Sequence, residues 1–236
     1  MKLSCFLNSL PEQQKKLVVA LIALVAALLV IVAVFFIFLK IKTASRRRKV
    51  QAFGKESEER IDKLLKEAFG EEAVFSGVFL PYVDEKEKYA EIDHIVINRS
   101  GVFVIEVKSH NGFIHNPDTH DWWQTYNDKK LRFYNPIRQN ATHVKILNRL
   151  FRKEGQYLDR QIHNIVVFTS HRVNFSQKYD QLISPQNALI PYIRRKGQRN
   201  VLSSAQVSRL RRIVTENSVK DKRIAHRHRK HIRNYQ

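Results

Sequence analysis

The 23 residues from Leu17 to Leu39, LVVALIALVAALLVIVAVFFIFL, contain no charge, no polar side chain and no glycine. A helix rises about 1.5 Å per residue, so a run of this length crosses the roughly 30 Å hydrocarbon core of a bilayer. A cleavable leader has an apolar stretch of about 7–15 residues and then a small-residue cleavage site. This run is longer, and it ends in Lys40, Lys42 and Arg46-Arg47-Arg48-Lys49. The expectation is a retained single-pass membrane helix over 17–39, preceded by a short segment, 1–16.

Charge sets the expected orientation. Residues 40–49 carry +6, against +2 over 1–39, and the more basic flank of a span stays on the cytoplasmic side. The sequence thus predicts a plasma (inner) membrane protein whose C-terminal domain is cytoplasmic. Residues 40–53 form a basic juxtamembrane linker, and 40–49 is suited to anionic lipid. Residues 50–193 are electrically balanced, while 194–236 carry +12. The single cysteine, Cys5, excludes an intramolecular disulfide framework and a CxxC zinc ribbon, which fits a reducing compartment.

Beyond the linker, GKESEERIDKLLKEAF (54–69) has Ile61, Leu64, Leu65, Ala68 and Phe69 at helical spacing. Glu59 falls on the polar side with Asp62, Lys63 and Lys66. Glu58 falls in line with the apolar stripe, where a carboxylate needs a partner because burying an unpaired charge is costly.

EIDHIVINRSGVFVIEVKSHNG (91–112) reads as two strands joined by Asn98-Arg99-Ser100-Gly101. Side chains alternate along a strand, so Val102, Val104, Glu106 and Lys108 share one face. A turn symmetric about Arg99-Ser100 sets Asp93 opposite Glu106. A bulge at Gly101 would instead slip the register by one and part them to opposite faces. Facing carboxylates repel unless one is protonated or a cation lies between them. Oxygen ligands without cysteine suit Mg²⁺ or Mn²⁺. A lysine on the same face can orient or deprotonate water or neutralise developing charge, the set needed for metal-assisted phosphodiester hydrolysis. An accidental carboxylate pair bridged by Lys108 is the competing explanation.

An aspartate, about a dozen residues, then E-x-K across a hairpin resembles the core of the PD-(D/E)XK nuclease superfamily. More narrowly, residues 54 to about 151 resemble the nuclease-related domain, NERD. Gly54 with Glu58 is similar to its opening helix, 91–96 to its aspartate strand and 101–108 to its E-x-K strand. Gly112 with Trp123 is similar to the family's segment after that strand, and Asn135-Pro136 with Gln139-Asn140 to its closing helix. Ser57 stands where a second glycine is often found, and no proline precedes Asp93. The resemblance implies an α/β fold: a restriction-endonuclease-like mixed sheet flanked by helices, with Mg²⁺-dependent DNA cleavage. Within it Asp93 and Glu106 bind metal, Glu58 binds or orients it, Lys108 handles the attacking water and Gln139 positions the strand.

The closing helix is also legible from its residues. Asn135 suits an N-cap and Pro136 the first turn. Ile137, Ala141, Val144, Leu147 and Phe151 form an apolar stripe, with Gln139 and His143 off it. His143 is expected to be a surface or half-buried packing residue. Tyr82, Trp122, Trp123 and Tyr126 invite base stacking but are expected mainly in core or rim packing. His110, His115 and His120 have no metal spacing, and no nucleotide-binding loop, HExxH or GxSxG occurs.

The nuclease-like core is expected over 54–155, with an extension over 156–219. That extension contains a strand at 163–170, continuing the same sheet, and a helix opened by Ser203 or Ser204 with a Ser203-x-x-Gln206 capping box. Residues 220–236 read as a basic disordered tail, in which Arg227, Arg229, Lys230 and Arg233 are expected to meet phosphate. The leading expectation is a membrane-anchored nuclease, for DNA ahead of RNA. The alternatives are a non-catalytic nucleic-acid tether and a scaffold for membrane proteins.

Overall fold

The computed structural model describes residues 11–83, 88–158 and 160–219, apart from the side chains of residues 46 and 47. The expected tail contacts at Arg227, Arg229, Lys230 and Arg233 lie outside the described residues. Two units are distinguished, 1–52 and 53–236. In the first, helix α1 (Glu12–Phe69) presents apolar side chains that are almost all exposed, among them Leu17, Leu29, Ile31 and Phe36. It is long and apolar enough to cross a membrane. Residues 40–53, expected as a linker, are helical. Thr-Ala-Ser-Arg-Arg-Arg-Lys-Val-Gln-Ala-Phe offers no proline or glycine to stop a helix, and Arg, Lys, Gln and Ala favour one.

The second unit begins within α1, where Ile61 and Leu65 are fully buried. Next come β1 (Val74–Pro81), β2 (Tyr89–Asn98), β3 (Gly101–Lys108), β4 (Gly112–His115), β5 (Asp121–Tyr126) and β6 (Lys129–Tyr134). Helix α2 (Pro136–Lys153) leads to β7 (Ile162–Phe168), β8 (Val173–Phe175) and β9 (Leu182–Ile183), and helices α3 (Leu189–Lys196) and α4 (Ser204–Asn217) complete it. One sheet runs β1-β2-β3-β7-β9 and the other β6-β5-β4-β8. Both are mixed, because β3–β7, β7–β9 and β4–β8 are parallel and the remaining pairs antiparallel. The mixed α/β expectation holds, and 163–170 extends the hairpin's sheet as β7.

The central strand β3 is buried on both faces. On one, Val102, Val104, Ile95 and Ile97 pack with Leu147, Leu150 and Phe151 of α2 and with Val207, Leu210 and Val214 of α4. On the other, Phe103, Ile105 and Val96 pack with Ile61 and Leu65 of α1 and with Leu189 and Ile193 of α3. Ser203 caps α4 with the expected capping box.

No bulge interrupts the β2–β3 turn. Asn98 pairs with Gly101 and His94 with Ile105, which is the symmetric register. Gly101 has φ +141°, and a Cβ there would meet the Gln161 carbonyl oxygen at 3.0 Å and the His163 ring at 3.3 Å. That close approach of β3 to the start of β7 requires glycine.

The apolar stripe of α2 departs from expectation. Its buried positions are Pro136, Asn140, His143, Ile146, Leu147, Leu150 and Phe151, while Ile137, Ala141 and Val144 are half-buried. Two polar residues therefore face inward. Asn140 can do so because its amide donates to the carbonyls of Val104 (2.8 Å) and Ile165 (2.9 Å) and to Asn164 Oδ1 (2.7 Å). One side chain thus ties α2 to β3 and β7.

Candidate active site

The site forms at the end of the β2–β3 hairpin. The ladder bonds stop at His94–Ile105, and beyond them Asp93 Oδ2 accepts the Val107 N–H at 2.8 Å. Asp93 is thereby drawn across the hairpin toward Glu106. Its carboxyl is held well above the usual carboxylate range, first by burial and next by the Glu106 charge, against the opposing pull of Lys108 and the Val107 N–H.

Glu106 is buried, its side chain 3% exposed. Its Oε1 accepts from Lys108 Nζ at 2.7 Å, and Lys108 also donates to Gln139 Oε1 at 3.2 Å. Burial alone would depress the Lys108 ammonium, but Glu106, Asp93 and Glu58 outweigh it and raise it, so the lysine rests charged. The cap that begins α2 aims Gln139 at this point: Asn135 Oδ1 accepts from the N–H groups of Ile137 and Arg138. Glu106 Oε2 is buried and accepts no hydrogen bond among the described residues, and His143 Nδ1 stands 3.6 Å away. His143 is therefore buried and turned toward Glu106, where a surface or half-buried packing histidine was expected. The available signal was its spacing, one helical turn after Gln139.

Glu58 is mostly exposed on α1. Its carboxyl is raised by partial burial and then by Glu106, which places the two within electrostatic reach. Among the described residues, no three His, Cys, Asp or Glu side chains converge closely enough to hold a metal ion. Asp93, Glu106 and Glu58 are thus neighbours in charge without forming a closed cluster. The donor set nevertheless suits a hard cation: oxygen ligands, a like-charge pair and a buried carboxylate oxygen lacking a hydrogen-bond donor.

The surroundings support the site from both sides. Ser57, fully buried, donates to the Phe53 carbonyl and accepts from Arg60 and from Thr169 at 3.1 Å. The Thr169 N–H bonds the Lys108 carbonyl. The small hydroxyl at 57 thus ties α1 to the end of β7. Thr169 also lines a cavity of about 310 Å³ with Arg60, Asn111, His171 and Arg172, whose lining among the described residues is cationic and not acidic. Of the aromatic residues considered for stacking, Trp122 is fully buried in the core, whereas Trp123 and Tyr126 are exposed and Tyr82 is half-buried.

Fold and site define a mixed α/β domain whose hairpin carries an aspartate facing a glutamate–lysine pair. Residues 53–169 match the nuclease-related domain, NERD. A Bacillus anthracis protein described as uncharacterized is 40% identical over 65 residues, 27% of this chain and 31% of that protein, so the similarity spans about a third of its relative's length. No solved structure matches the chain.

Proposed function

We propose that the chain is a membrane-anchored, cytoplasm-facing nuclease that hydrolyses phosphodiester bonds, DNA being the expected substrate, with Mg²⁺ or Mn²⁺. The observation that carries this reading is the clamp on Lys108, held between Glu106 Oε1 and Gln139 Oε1 while Asp93 lies across the hairpin. A binding module gains nothing from buried carboxylates that repel phosphate, whereas hydrolysis uses each part. Asp93 and Glu106 would hold the cation, with Glu58 beside them. The ion, when bound, supplies Lewis-acid activation of water and neutralises phosphate charge. Lys108 presents an ammonium to the attacking water or to charge developing at phosphorus. Gln139 fixes Lys108 and positions the strand, and the Arg60–Arg172 cavity receives a flanking phosphate.

The exposed apolar run of α1 supports the anchor, and the Lys40–Lys49 block supports a cytoplasmic domain with anionic lipid at 40–49. Two experiments test the reading. Metal-dependent cleavage by the detergent-purified chain should vanish in Asp93→Asn and Lys108→Ala. If the wild type cleaves no DNA or RNA with either metal, the reading gives way to a non-catalytic tether. A reporter fused after residue 236 should be active only in the cytoplasm, and activity on the opposite side would reverse the topology.

A further inference from the structure

The second sheet buries one face and leaves the other open. Directly paired residues share a face. The outward face therefore carries two cross-strand rows over β4, β5 and β6: His115–Trp123–Arg132 and Phe113–Thr125–Lys130. Their neighbours Ile114 and Trp122 point the other way, into a core with Phe168. Trp123 is 37% exposed and Phe113 39%. The His115 ring meets Phe113 edge-on, centroids 4.7 Å apart. Scattered surface aromatics need no explanation, but rings grouped on one sheet face and rimmed by cations mark a recognition surface.

Beside these rows lies a cleft of about 470 Å³, lined by His115, Pro117, Trp123, Lys130, Ser176 and Gln177. That lies within the roughly 300–1,000 Å³ range of small-ligand sites, and among the described residues no carboxylate lines it. The acidic residue on this face, Asp121, faces Arg132 at 3.6 Å. Both are partly exposed, so the pair is weak and Arg132 can turn to a phosphate. Lys130 makes no ion pair among the described residues.

We infer that this face is a stacking platform for single-stranded nucleic acid, with bases lying on Trp123 and Phe113 and the backbone passing Lys130 and Arg132. Exposed rings flanked by cations fit the two surfaces of such a strand, the flat base and the phosphate. In a duplex the base faces are already stacked on one another, so the rings have nothing to receive. The inference rests on reading the chain as a nuclease, and it narrows the substrate to strands with unpaired bases.

The test uses the full chain in zwitterionic nanodiscs, with chelator present to prevent cleavage. Labelled oligodeoxythymidine and a duplex of equal length are titrated by anisotropy. The oligodeoxythymidine should bind more tightly. Trp123→Ala and Phe113→Ala should each weaken it on the order of tenfold, while duplex binding changes little and Trp123→Phe restores most of the loss. Lys130→Ala should lower the salt slope by about 0.7, the single-strand value per phosphate contact. The basic tail contributes equally to every variant and cancels in the comparison. A double Trp123→Ala, Phe113→Ala variant that keeps the wild-type melting temperature and binds oligodeoxythymidine as the wild type does would overturn the platform. So would a tryptophan emission change, absent in Trp123→Phe, that appears when anionic lipid is added to the nanodiscs and not when the oligonucleotide is added. Cleavage with metal, measured on the same preparations, separates the two ideas. Binding that depends on Trp123 without any cleavage sinks the nuclease reading alone, and cleavage with Trp123-independent binding sinks the platform alone.

Discussion

Asp93 accepts the Val107 N–H at 2.8 Å across the hairpin, and this bond brings its carboxylate to Glu106 on the neighbouring strand. The arrangement is built from like charges, so on the proposed reading its stability should respond to protons and cations in ways that a merely structural ion pair would not.

Asp93→Asn tests that character. A carboxyl whose folded pKa is raised above its unfolded value adds stability that is complete below the unfolded pKa and is lost as pH rises through the folded one. Asparagine has no proton to lose and still accepts from Val107. The metal-free variant should therefore match or exceed wild-type stability at alkaline pH, with the gain shrinking as pH falls toward the ordinary carboxylate range. On the proposed reading Mg²⁺ should raise the melting temperature of the wild type and not that of this variant. The chain's two tryptophans, Trp122 and Trp123, both lie in the domain, so thermal melts monitored by their emission report it directly. Strong destabilisation at alkaline pH without metal would make Asp93 a structural partner of Lys108.

Lys108→Ala should behave differently. It strips Glu106, 3% exposed, of its hydrogen-bonded cation. Breaking a buried pair from one side costs roughly 3–5 kcal/mol, because a charge is left unpaired. On the proposed mechanism Lys108 meets water or phosphate and not the ion, so a Mg²⁺ increment in the melt should survive this substitution. A second change, Glu106→Gln, should recover much of the metal-free stability but abolish the increment. A Lys108→Ala chain as stable as wild type would show that water already screens the pair.

Much of this site was legible because a hairpin register depends on local information. Turn length and alternation aligned Asp93 with Glu106, and the E-x-K spacing put Lys108 on the same face. The caps at Asn135 and Ser203 were legible for the same reason. His143 and Asn140 were not. Asn140 turns inward to acceptors supplied by β3 and β7, and His143 lies beside the Glu106 carboxylate, all distant in sequence, whereas an apolar-stripe argument assigns polar residues outward. Trp122 and Trp123, adjacent and chemically identical, have opposite fates that depend on which sheet face meets Phe168. The short strands β8 and β9 carry too few residues to establish a period, and only their partners β4 and β7 define them.

Asn140→Asp probes the clamp on α2. The amide nitrogen faces three acceptors, the Val104 and Ile165 carbonyls and Asn164 Oδ1. A carboxylate of the same shape would aim negative charge at all three in a fully buried position. The expected loss is at least about 2 kcal/mol, the desolvation penalty of unsatisfied buried polar groups, measured by urea unfolding. Loosening α2 also displaces Gln139, so cleavage at permissive temperature should fall with the Lys108–Gln139 contact. Full stability in the aspartate variant would mean that α2 is held by its apolar residues alone.

His94 supplies the acid limb of the stability profile. It is 2% exposed on β2, with Nδ1 3.0 Å from Ser76 Oγ, and Ser76 in turn donates to Asp62. Burial pushes the imidazole down to about 4, Asp62 opposing only in part. A histidine whose folded pKa is depressed contributes stability that is present above its unfolded value, near 6.5, and is lost as pH falls toward the folded one. The expected loss from this residue is about 3 kcal/mol between about pH 6.5 and 4, by the conversion of roughly 1.4 kcal/mol per unit. His94→Asn retains a group able to meet Ser76 but cannot take up the proton. Carboxylates titrate in the same window in both proteins, so the measurement is the difference between variant and wild-type unfolding curves. That difference should narrow steadily as pH falls from about 7 to 4, because the wild type alone loses the histidine contribution. A difference that stays constant across the window would show that His94 is protonated as readily in the folded domain as in the unfolded chain.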